Sequence, residues 1–297
     1  MGIGPIELLV LLVPLMVVVG AVVLFVVLSA RPSATLTSEV ATARRHAVTT
    51  SVLSVLVTVI SLAPVGIALA AAVPDGHAGV AALPLAASGV ALVVLLVGEL
   101  TWPRPQGASR VAVLRDRSAI ALLHGGWPRV AAASTGLLLV TLAVAGAVAH
   151  DGRAVRHVRP EVTSTASPFP GWTYGSVQVV ALAGVLLLAA LATRLAAHRS
   201  AVVTADTETD DLLRRASVGR VFRTVVGGVT VTLGADLGVA GAATHNAFQT
   251  GPVHALGVTL MVLGPLLALA GLLALAVPVA RLRPLPSYAA PGTSVSA

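Results

Sequence analysis

Seven stretches of this sequence each run for about 20 residues or more with little charge, at 6–28, 51–73, 79–100, 130–149, 176–197, 224–244 and 253–280. A helix of that length matches the hydrocarbon thickness of a bilayer. Inside lipid only helices and closed barrels satisfy their own backbone hydrogen bonds, and runs this long suit helices. The chain is therefore predicted to be an all-α, polytopic membrane protein, with seven transmembrane helices in a single integral-membrane domain over residues 1–297. Composition agrees, because 10% charged residues is far below the roughly 25% of an ordinary soluble domain.

Charge then predicts the threading. Nothing basic precedes the first run, which opens at Glu7 and is followed by Arg31, the order of an uncleaved helix whose N-terminus is outside. The connections after the first, third, fifth and seventh runs, helix ends included, hold sixteen of the nineteen arginines. The opposite connections hold three, Arg153, Arg156 and Arg159. This asymmetry puts the N-terminus outside and the C-terminus in the cytoplasm, with 281–297 as a flexible cytoplasmic tail. Every basic residue is Arg and none is Lys, a usage that fits a GC-rich bacterial genome and hence the bacterial plasma membrane. The pI of about 11.4 reflects arginines at the ends of apolar runs. Their expected partner is the lipid bilayer, not nucleic acid.

Several chemistries are excluded by missing residue types. Without Cys there is no thiol catalysis, disulfide, Cys-based zinc site or iron–sulfur cluster within the chain. Without Lys there is neither a GxxxxGK phosphate loop nor a retinal Schiff base. No nucleophile, base and orienting group fall together, so no catalytic site and no cofactor are expected.

Two connections carry detail. The outer segment 150–175 contains Pro160, Pro168 and Pro170 and is predicted to be an irregular lid. The inner segment 204–223 is predicted to hold a short helix opening near Thr209. Asp210 and Asp211 lie at its positive end and Arg220 and Arg223 near its negative end, as the macrodipole prefers. It is expected to lie on the inner membrane surface and run into the sixth span. Arg214, Arg215, Arg220 and Arg223 are thus candidates for contact with the membrane surface or with a partner protein.

The main site candidate is Asp236, the acid set deepest in any apolar run. Thr232 shares its helix face, and a second face carries Gly227, Gly234, Gly238 and Gly241, a stripe that admits a neighbouring helix closely. The sixth span is therefore expected to be central. At 1.5 Å per residue, Asp236 lies about 12 Å below the outer boundary. Pro14, Pro64, Gly66, Ser88, Thr141, Gly184 and Thr259 stand at similar depth. These predict a polar pocket with Asp236, Thr232, Thr141 and Thr259 as pocket or ion-binding candidates, since an intramembrane acid without a cationic partner suits proton carriage or cation ligation. The alternative is a structural acid satisfied by Thr141 or Thr232.

Weaker signals remain. His77, His150, His245 and His254 map to the outer side and are weak metal-ligand candidates, but no HxxH, HxH or HExxH spacing supports them. Gly257, Gly264 and Gly271 recur at heptad spacing in the seventh run and predict a packing seam, with a symmetric homodimer as its variant. Two functions follow as expectations. The first is a permease-like or transport-accessory protein working at Asp236. The second is a non-transporting scaffold or sensor that docks a cytosolic partner through its basic inner loops.

Overall fold

In a computed structural model of the chain, residues 38–73, 76–103, 119–201 and 207–276 are described. They form α1 (Ser38–Ala72), α2 (Gly76–Ala81), α3 (Leu83–Leu100), α4 (Ala119–Leu122), α5 (Gly126–Val148), β1 (Val155–Val158), β2 (Thr163–Ala166), α6 (Trp172–His198), α7 (Thr207–Ala247) and α8 (Pro252–Ala276). Six of these helices, α1, α3, α5, α6, α7 and α8, are long and apolar enough to cross a membrane, which is consistent with a multi-pass membrane protein. The expected first span at 6–28 and the tail at 281–297 lie outside the described residues.

Three boundaries differ from expectation for physical reasons. The second span opens at Ser38 rather than near residue 51, because SEVATARRHAVTT contains no Gly or Pro to stop a helix. The third run breaks at Ala82. Pro84 falls in the first turn of α3, where its missing N–H costs nothing. The short inner helix and the sixth span are one continuous 41-residue helix, α7.

The outer connection is not an irregular lid. Val155–Val158 pairs antiparallel with Thr163–Ala166, with Val155 opposite Ala166 and Val158 opposite Thr163. Pro160 falls between the strands, while Pro168 and Pro170 come after the second, so none interrupts the ladder. VRHV and TSTA then act as short strands rich in β-branched residues.

α7 is the centre of the bundle. Its Val225, Val229 and Leu233 meet Leu85 and Leu92 of α3, Leu138 of α5 and Val185 of α6 in the main core. Its glycine face receives α8, whose heptad glycines provide the matching surface. A Cβ placed on Gly234 would lie 2.5 Å from the Gly264 carbonyl oxygen, and one on Gly264 would lie 2.5 Å from the Gly238 amide nitrogen. Further along, Gly241 closes on Gly257, and Gly271 on Gly227. The packing seam of α8 is thus filled by α7 of the same chain and is not available to a second copy. By contrast α1 packs on α3 and has few of its side chains buried.

Helix direction then sorts the charges. The start of α1, the end of α3, the start of α5, the end of α6 and the first half of α7 gather at one end of the bundle, joined by contacts such as His46 to Gly98 and Arg220 to Ala47. The hairpin packs at the other end against Ala240, Ala243 and Ala247 of α7.

Candidate functional site

Asp236 is buried on α7, and its partner is one that the sequence reading did not name. Gln178, near the start of α6, donates from Nε2 to Asp236 Oδ1 at 2.8 Å, and the same nitrogen reaches the Ala81 carbonyl at 3.3 Å. Thr232 is fully buried on the same face, but its hydroxyl donates to the Gly228 carbonyl of its own helix. Thr141 and Thr259 likewise bond back to Leu137 and Ala255, and Thr259 is exposed. The structure therefore brings Thr232 alongside Asp236 but joins neither Thr141 nor Thr259 to it. Asp236 Oδ2 and Gln178 Oε1 are buried acceptors with no partner among the described residues. The only signal for Gln178 in the sequence was its standing as the one amide in the fifth apolar run.

The charged end is a second and larger constellation, built around an acid overlooked in the sequence. Glu99, at the end of α3, uses both oxygens on arginines. Oε2 accepts from Arg199 Nη1 at 3.0 Å, and Oε1 accepts from Arg220 Nη2 at 3.4 Å, with all three side chains buried. The Ser217 hydroxyl accepts from the same two nitrogens at 3.3 and 2.9 Å. Arg199 stacks 3.6 Å from the centroid of Trp102, and the His46 ring meets that indole at near right angles with centroids 5.4 Å apart. Burial holds Arg199 down at about 10, with Glu99 opposing that shift. Arg214 pairs with Asp210 at 2.8 Å and donates to the carbonyls of Ala197 and Arg199, satisfying the end of α6.

Of the four arginines expected at a surface, only Arg215 is exposed; Arg214, Arg220 and Arg223 are buried. The i, i+3 spacing that places Arg220 and Arg223 on one side of α7 turns them inward, Arg220 toward α1 and α3 and Arg223 toward α5. Arg223 lies 5.8 Å from the Trp127 ring and has neither an ion pair nor a hydrogen bond among the described residues. Arg220 reaches the Ala47 carbonyl at 3.1 Å through its other terminal nitrogen.

Arg220 and Arg223 are among the residues lining a cavity of about 290 Å³. α3 and α7 form its back wall through Leu83, Ser88, Leu95 and Gly228, while α1 and α8 flank it through Ser54, Thr58, Val59, Leu272 and Leu275. α1 and α8 do not pack on one another, so the cavity is a cleft between them. Its hydroxyls are largely spent on the backbone: Ser51 donates to Ala47 and Thr58 to Ser54. The walls are thus apolar and the arginine end is cationic. Asp236 is not among the residues lining this cleft; it lies five residues beyond Val231 on α7, or about 7.5 Å along the axis.

Among the outer histidines, the structure brings two together. The rings of His245 and His254 lie 4.4 Å apart, with His254 Nδ1 at 2.7 Å from the Phe248 carbonyl. His150 is 3.3 Å from Asp151, and His77 lies at the start of α2. Among the described residues no three His, Asp or Glu side chains converge as a metal-binding group. Comparisons of the chain with known protein families, with curated proteins and with solved structures find no match.

Proposed function

We propose that the chain is a permease-like or transport-accessory protein of the bacterial plasma membrane, with seven spans and its C-terminus in the cytoplasm. Its working site is the cleft between α1 and α8 rather than Asp236. One observation carries this reading: a cleft with apolar walls counts among its lining residues Arg223, a buried arginine with no counter-ion among the described residues. A site of that shape suits a small anion with an apolar body, because burying the apolar part is favourable and the charge meets a guanidinium already removed from water. Asp236, held by Gln178 and away from the cleft, takes a structural part in this account. Of the four arginines named for membrane-surface or partner contact, Arg215 is the one left exposed, and the other three are turned into the bundle.

The test is flux of octanoate, an amphiphilic anion, in proteoliposomes. Wild-type protein should exceed empty vesicles, and Arg223→Gln should lose roughly tenfold, the factor set by about 1.4 kcal/mol of charge-assisted binding. Flux equal to that of empty vesicles would end the transport reading.

A further inference from the structure

Resting on the reading of the cleft as the working site, we infer that its resident occupant is an anionic phospholipid of the surrounding bilayer. The phosphate sits on Arg223 beside Arg220, and one acyl chain lies between α1 and α8. The cleft faces the bilayer because its two flanking helices do not pack on each other and both expose apolar side chains, Leu56 and Ile60 on α1 and Leu269 and Leu273 on α8. Its charge lies at one end, where the helix termini and Trp127 gather, which is the depth of a headgroup rather than of the bilayer centre.

Charge complementarity selects the anionic headgroup. Glu99 is already shared between Arg199 and Arg220, so it cannot also neutralise Arg223. Three further buried donors, Arg199 Nε and Nη2 and Arg220 Nε, find no acceptor among the described residues. The local balance is therefore cationic. At 290 Å³ the cleft lies at the lower end of the roughly 300–1,000 Å³ of enclosed small-molecule sites, too small for a whole phospholipid but sufficient for a headgroup and the first part of one chain. The rest of that molecule stays in the bilayer, which a cleft open to lipid permits.

A second occupant to weigh is the apolar run at 6–28. In the sequence the one charged residue between that run and α1 is Arg31. It would add a cation where the cleft needs an anion.

The experiment is native mass spectrometry of the full chain, titrated separately with phosphatidylglycerol, phosphatidylcholine and water-soluble glycerol phosphate. Wild-type protein is expected to retain phosphatidylglycerol preferentially, with no competition from glycerol phosphate. Arg223→Gln should lower that retention roughly tenfold and Arg223→Lys should restore part of it. Val59→Trp, which fills the apolar wall and leaves every charge in place, should also abolish it, and it carries the test if Arg223→Gln does not fold. Equal retention of the two lipids, displacement by glycerol phosphate, or retention unchanged in both Arg223→Gln and Val59→Trp, as expected if 6–28 fills the cleft, each overturns the inference. Octanoate flux without phosphatidylglycerol preference removes this inference alone; phosphatidylglycerol preference without flux removes the transport reading alone.

Discussion

Glu99 and Asp236 are both carboxylates buried among helices, yet the protein satisfies them in opposite ways. Glu99 stands at a helix end and neutralises two guanidiniums, each of which is also held by Ser217. Asp236 stands inside the bundle and meets one neutral amide, leaving an oxygen on each partner without a donor. The difference teaches that depth in an apolar run marks an acid as unusual without marking it as the working site. Where charge is organised, it is organised at the helix ends, and the cleft reaches the arginines there.

Removing Glu99 should have the largest effect. Glu99→Gln leaves Arg199 and Arg220 buried together without a counter-charge, and breaking a buried pair in this way costs about 3–5 kcal/mol. Thermal unfolding in detergent should show it as a large fall in Tm together with low membrane abundance. A Tm close to wild type would mean that these arginines are not held by Glu99.

Asp236→Leu should cost less, about 1–3 kcal/mol, because it removes one hydrogen bond and leaves the Gln178 amide underused in an apolar setting. If the pair acts as a unit, adding Gln178→Leu to Asp236→Leu should cost less than the sum of the single changes. Strict additivity in that double-mutant cycle would separate the two residues and reopen the question of what Asp236 meets.

The smallest effect is expected for Asp236→Asn, within about 1 kcal/mol, since its amide supplies a donor where two acceptors stand unpartnered. Normal abundance and normal octanoate flux in this variant would keep Asp236 structural. Normal abundance with abolished flux would return the working site to the carboxylate.

The contrast also explains what was legible in the sequence. Apolar run length pointed to the six long apolar helices among the described residues, and the glycine spacing in the sixth and seventh runs matches the seam between α7 and α8, because close helix approach demands small residues at fixed periods. The hairpin is hidden in the sequence because a proline signals a break without telling whether it falls inside a strand or between two, as Pro160 does here. Glu99 was missed because an acid beside Thr101 and Trp102 at the end of a run reads as an interfacial residue. Its burial depends on Arg199 and Arg220, 100 and 121 positions away. The cleft was equally hidden, since it is a gap between α1 and α8 and no local pattern encodes the absence of packing.

The most direct test of the central claim is a density map of the full chain in nanodiscs containing phosphatidylglycerol. The account predicts elongated density between α1 and α8 ending at Arg223, and continuous protein packing around Asp236 and Gln178. A cleft filled by a helix of this chain, or a water-filled path leading to Asp236, would contradict it.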